Sequence, residues 1–345
     1  MQSRVLDQMD GKPSGFAVYR DPYCALTKTV QLLGTYPSLA ISIRRLWLGG
    51  FYDADTLSMV FKVLQMCNEL KTLTLPWTVI RYGNAEDWSS LLGNGSDRDN
   101  LSSLELMAID LKRAQTADPH NQIDNKPLLA GPVDFSKLRR LKIFGDTTFM
   151  PIVDQDLFNI ARSATSLQEL HITGTSSVTI DGVMSIVNSC RETLRVLEYT
   201  PTSQNGFDHP DPSNIPSAPK AKHFCSEIVQ CSWLTSLSIS LPSICLELFD
   251  ATSNRWTGEV QIRAGALCKL EIPSQQPQNG RLHFLVLLDR VRHLMETRGQ
   301  QDAQLDIEIF VGKRYCCCFS HDELMTMQVA GFSNHGNIRY TVILV

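Results

Sequence analysis

A hydrophobic hexamer of the form Leu-x-x-Leu-x-Leu, or a close variant, returns eight times along this chain. The copies are Ile43–Leu46–Leu48, Leu70–Leu73–Leu75, Leu101–Leu104–Leu106, Leu138–Leu141–Ile143, Leu167–Leu170–Ile172, Leu194–Leu197–Tyr199, Leu234–Leu237–Ile239 and Leu267–Leu270–Ile272. Their central leucines, from Leu46 to Leu270, are separated by 27, 31, 37, 29, 27, 40 and 33 residues. A ninth, weaker copy stands at Leu305–Ile307–Ile309. One such hexamer is common by chance. Eight in order restrict the fold to units of roughly 30 residues stacked on one another.

Alternating apolar residues in the Leu-x-Leu portion predict a short strand with one buried face. The residues between strands carry helical periodicity instead. Leu57, Val60, Phe61, Leu64 and Cys67 share one face behind N-caps at Asp53 or Asp55. Leu157, Ile160, Ala161 and Ala164 do so behind Asp154, and Val183, Ile186, Val187 and Cys190 behind Asp181. No unit is large enough to bury its own apolar face, so stacking must do it. The expected fold is α/β, a horseshoe-shaped solenoid of about eight to nine irregular strand–helix repeats with parallel strands on the concave face. A doubly wound sheet would alternate in the same way but has no need of a recurring hexamer register.

Cysteines accompany the repeat: Cys67 stands three residues before Leu70, Cys190 four before Leu194 and Cys231 three before Leu234. Thr179–Ile180–Asp181–Gly182 followed by Cys190 has the look of a strand-to-helix turn and helix end. On these residues the chain resembles leucine-rich repeat proteins of the cysteine-containing class, and in particular the repeat regions of fungal F-box proteins. The resemblance covers roughly residues 21–305. It implies a protein-recognition module, the substrate-recognition part of a ubiquitin ligase subunit. Two departures stand out. The asparagine or cysteine that such repeats carry three residues after the strand is replaced by Phe51, Thr78, Ile109, Asp146, Thr175, Thr202, Pro242 and Gln275. No F-box is recognisable in residues 1–42.

Around the repeats, residues 1–20 read as a flexible tail. Residues 21–42 read as a capping segment whose helix has Asp21 as N-cap, Pro22 at N1 and Gly34 past its end. Residues 43–280 hold the repeats, with polar insertions at 83–100, 115–132 and the proline-rich 201–222. Residues 281–345 are expected to form a last repeat and cap: a helix carrying Phe284, Leu287, Leu288, Val291, Leu294 and Met295, then strand-like runs at Leu305–Val311 and Ile338–Val345.

Composition narrows the function. Lys plus Arg is 32 against 36 Asp plus Glu, a formal net charge of −4 that opposes a broad phosphate-neutralising surface. No apolar run is long enough to span a bilayer, and Met1–Gly15 lacks the apolar core of a secretory signal. Ten irregularly spaced cysteines suit reduced thiols, so an intracellular location, cytoplasmic or nuclear, is expected. No catalytic constellation emerges: there is no phosphate-cradling loop, dinucleotide fingerprint, His-Glu-x-x-His or nucleophile elbow. Gly93–Asn94–Gly95–Ser96 has neither strand nor helix to frame it. The Cys316–Cys317–Cys318 run with His321 supports an alternative, a metal- or redox-dependent factor. Adjacent strand cysteines point to opposite faces, however, and do not converge on one ion. The expectation is a non-enzymatic chain without cofactor or metal.

If the leucines of Leu-x-Leu point inward, the residue between them faces the concave surface. That rule selects Trp47, Thr74, Glu105, Lys142, His171, Glu198, Ser238 and Glu271, and residues two earlier, including Arg45 and Arg140, flank them. Arg45, Trp47, Glu105, Arg140, Lys142, His171 and Glu198 are the candidate partner contacts, because Trp and Arg are favoured interface anchors. An exposed Trp47 near Arg45 and the Arg140–Lys142 pair would suit a peptide bearing acidic residues. The competing reading has Tyr36–Leu39 folding over Trp47 as a cap.

Overall fold

The computed structural model describes residues 22–49, 52, 54–83, 85–92, 101–108, 133–146, 151–202, 224–267, 280–301, 305–311, 329–332 and 339–344. The chain divides into two compact units, Met1–Leu167 and Gln168–Val345. Each is α/β, with parallel strands and helices between them.

The first unit opens with helices α1 (Pro22–Thr35) and α2 (Pro37–Ser42). Four strands follow: β1 (Arg45–Trp47), β2 (Thr72–Pro76), β3 (Ser103–Met107) and β4 (Arg140–Phe144). They pair in chain order, all parallel, with Leu46 opposite Leu73, Leu73 opposite Leu104 and Leu104 opposite Leu141. Leu73, Leu75, Leu104, Leu106, Leu141 and Ile143 are each fully buried. Helix α3 (Ala54–Met66) lines the core with Leu57, Val60, Phe61 and Leu64, and Cys67 closes its end. Helix α6 (Asp154–Ala161) contributes Leu157 and Ile160.

A recurrent backbone device locks the repeats. The carbonyl of the residue after the first apolar position accepts two amides from the next strand's start. Arg44 O accepts from Lys71 and Thr72, Lys71 O from Ser102 and Ser103, and Ser102 O from Arg139 and Arg140. The second unit repeats it: Gln168 O accepts from Arg195 and Val196, and Arg195 O from Thr235 and Ser236.

In the second unit, β5 (Glu169–Thr173), β6 (Val196–Thr200), β7 (Ser236–Ile244), β8 (Gly258–Leu267) and β9 (Leu305–Val311) pair in order and in parallel. Strand β11 (Arg339–Leu344) adds to β9 in parallel, and β10 (Val329–Phe332) pairs with it antiparallel. Helix α7 (Ile180–Ser189) buries Val183, Ile186 and Val187, with Cys190 at its C-cap. A short α8 (Phe224–Ile228) precedes β7. The final helix α9 (Gly280–Gly299) buries Leu287, Val291, Leu294 and Met295, as its apolar period requires. Among the described residues, no helix is long and apolar enough to cross a membrane.

Several expectations need correction. Residues 83–100 are not all loop: α4 (Trp77–Tyr82) is followed by α5 (Ala85–Leu92), which buries Trp88, Leu91 and Leu92. The i, i+3, i+4 spacing of those three residues was the available signal. Trp88 packs edge-on against Phe61, ring centroids 5.3 Å apart. The strand beside β7 is not at Leu267–Leu270–Ile272 but upstream, where Val260 and Ile262 pair with Leu237 and Ile239. Only a 3-10 turn, Leu246–Phe249, connects β7 to β8, so the repeat is shortened there.

Helix caps also differ. Thr179, not Asp181, caps α7, its hydroxyl accepting from the Asp181 amide at 3.3 Å. Val153 occupies the cap of α6, and the buried Asp156 carboxylate accepts from its amide at 2.8 Å. Helix α1 continues through Gly34 to Thr35, and α2 follows it at once. The 115–132 insertion, residues 203–222 of the proline-rich stretch, the tail 1–20 and the Cys316–His321 run lie outside the described residues.

Candidate partner-binding face

In the first unit the solvent-side residues form three rows across the strands. Register sets Arg45, Thr72, Ser103 and Arg140 side by side, then Trp47, Thr74, Glu105 and Lys142, then Pro76, Met107 and Phe144 on β2 to β4. The middle row holds three of the expected partner contacts, Trp47, Glu105 and Lys142, and the first row holds Arg45 and Arg140. Trp47 is 60% exposed, while Tyr36 and Leu39 are themselves exposed, so the capping alternative does not describe this residue.

The indole does not stand alone. Trp47 Nε1 donates to Met107 Sδ at 3.3 Å, which carries the ring from β1 across β2 to β3. Beneath it, Thr74 is only 8% exposed and Pro76 is buried. This corrects the expectation that Thr74 is a solvated face residue; Ser103 is buried as well. Short side chains between long ones lose their water. Thr74 Oγ1 donates to Glu105 Oε2 at 2.9 Å, and Glu105 Oε1 lies 3.4 Å from Arg140 Nη1. Lys142 Nζ sits 5.0 Å from the centre of the Phe144 ring, a cation–π distance. Arg45 is exposed.

The second unit brings His171 and Glu198 together, in register on β5 and β6. His171 Nδ1 and Glu198 Oε2 are 2.8 Å apart, and His171 Nε2 lies 3.6 Å from Glu169 Oε2. The row continues through Ser238 and Gln261 to Glu308. Gln261 Nε2 donates to Glu308 Oε2 at 3.0 Å, and Arg263 stacks over Phe310 at 5.7 Å. This row is acidic, whereas the corresponding row of the first unit balances Glu105 against Lys142. Its β8 member, Gln261, escaped the sequence reading because the eighth strand was expected downstream, which nominated Glu271 instead. Met107 and Phe144 were also missed, although the i, i+2 rule extends to them directly.

Among the described residues, no group of three or more His, Cys, Asp or Glu side chains is placed to hold a metal ion. Cys67, Cys190, Cys225, Cys231 and Cys245 are buried. Burial pushes the Cys190 and Cys231 thiols up to about 12, and the neighbouring Cys231 adds to the effect at Cys190. Burial thus holds the Cys190 and Cys231 thiols neutral, as packing groups.

No protein-family model matches this chain, and no curated protein matches it.

Proposed function

We propose that this protein is a non-enzymatic protein-interaction module of the leucine-rich repeat kind, with its solvent-side strand rows forming the concave face that a partner occupies. The observation that carries the reading is Trp47, held 60% exposed in the row opposite the buried leucines. A strand row built only for solubility has no use for an exposed indole braced by a methionine, whereas interfaces favour both residue types. The in-register leucine stack and the recurrent double-amide bond between repeats support the horseshoe form. By resemblance, the partner would be a ubiquitination substrate, with the chain acting as the recognition part of a ligase subunit. Cysteines used as buried packing groups suit a reducing intracellular compartment, cytoplasmic or nuclear.

Affinity purification of tagged full-length protein, followed by mass spectrometry, tests this. The expected result is a defined set of protein partners, ligase-core subunits among them, that is lost when Trp47→Ala is combined with Arg140→Glu and Lys142→Glu. Retention of every partner by that variant would refute the face, and absence of ligase subunits would refute the ligase assignment.

A further inference from the structure

We infer that the solvent side of β1–β4 reads an acidic linear segment in which two carboxylates stand four residues apart with an apolar residue midway. This rests on the interaction-module reading and gives its partner a chemistry. Within these four strands the charged residues are Arg45, Arg140 and Lys142 against Glu105, so the face carries net positive charge although the whole chain is negative.

The cations are not equivalent. Glu105 spends both carboxylate oxygens inside the face, on Thr74 and on Arg140. Arg45 and Lys142 meet no carboxylate among the described residues. They stand at opposite ends of the four-strand rows, on β1 and β4. Strands lie about 4.8 Å apart, so three spacings plus the one-row offset separate these two positions by roughly 16 Å. An extended peptide advances about 3.4 Å per residue, so four residues cover about 14 Å and the long Arg and Lys side chains reach across the rest. In an extended chain, residues i, i+2 and i+4 point the same way. Carboxylates at i and i+4 then face Arg45 and Lys142, and residue i+2 lands beside the apolar surface that the Trp47 indole makes with Met107. Glu105 acts as the selector. By holding Arg140 it keeps the centre from attracting a third carboxylate, and its own charge repels one placed there.

Fluorescence anisotropy with full-length protein and labelled synthetic peptides tests the inference. The probes carry two aspartates two, four or six residues apart around one leucine, with a lysine version and a scrambled version of the four-apart peptide as controls. Melting temperatures check that each variant is folded. The four-apart peptide should bind about threefold or more tighter than the other spacings and the scramble. Arg45→Gln and Lys142→Gln should each weaken it about five- to tenfold and erase the spacing preference. Glu105→Gln should tighten binding about threefold and relax the requirement for an apolar centre. Spacing-independent binding, tighter binding of the lysine peptide, indifference to these substitutions or no binding at all would each overturn the inference. None of these results touches the interaction-module reading, which stands or falls on the purification experiment.

Discussion

At the scale of single residues, the unmet hydrogen bonds and the buried thiols are the most informative. Thr78 and Thr175 are both nearly fully buried, and neither hydroxyl has a hydrogen-bond partner among the described residues. A buried polar group left unpaired is costly, and an isosteric apolar replacement removes that cost. Thr175→Val should therefore leave stability unchanged or raise it by about 1 kcal/mol in urea denaturation. A loss of that size would show that the hydroxyl has a partner in solution.

The thiols give a pH dependence. Folding holds Cys190 and Cys231 neutral up to about 12, whereas their ordinary value is 9.0. Raised folded-state values mean that the unfolded chain ionises first. The stability from these groups is complete below about pH 9 and drains away as pH climbs towards 12. Tyr52, pushed up by burial from 10.0 to about 12, adds to the upper part of that window. Denaturation series at pH 8 and 10.5 should show the alkaline loss, and a Cys190→Ala, Cys231→Ala double variant should show a shallower one. Equal slopes would mean that these thiols already reach water in the native state.

At the scale of elements, legibility tracked how local the cause was. Strands β4, β5 and β6 could be read directly, because the hexamer alternation matches their burial residue by residue. In β4 and β5 a glycine closes the register, and Gly145 and Gly174 both take positive φ, 89° and 67°. Strand β8 was illegible for an opposite reason. Its inward pair, Val260 and Ile262, lacks the leading leucine, while the hexamer at Leu267 offered a better match in the wrong place. Helix α5 was hidden by the glycine- and asparagine-rich residues after it. The burial of Thr74 was beyond any local rule, since it depends on an indole crossing from β1 to β3. The same limit applied to the candidate face: alternation picked out Trp47, Glu105 and Lys142, but the Met107 brace and the Glu105–Arg140–Thr74 bonds are tertiary.

Gly258 offers an element-scale test. It starts β8 with φ of 81°, and a Cβ there would run into the Thr235 carbonyl. Strain and collision act together, so Gly258→Ala should cost about 2 kcal/mol or more. Near-wild-type stability would place the β7–β8 entry in a different conformation.

At the scale of the whole molecule, each unit separates two jobs by strand parity. Inward residues hold the stack, and solvent-side residues carry the charge, basic with an exposed indole in the first unit and acidic in the second. The net charge of −4 conceals this division. The claim that parity divides stability from recognition is the centre of the account, and one paired alanine scan tests it. Leu141→Ala and Leu197→Ala should each cost about 2–5 kcal/mol of unfolding free energy. Lys142→Ala and Glu198→Ala should each cost less than about 1 kcal/mol, with Lys142→Ala reducing partner capture. Equal losses of stability at the leucines and at their immediate neighbours would contradict the account, because the two faces of the strands would then be doing the same work.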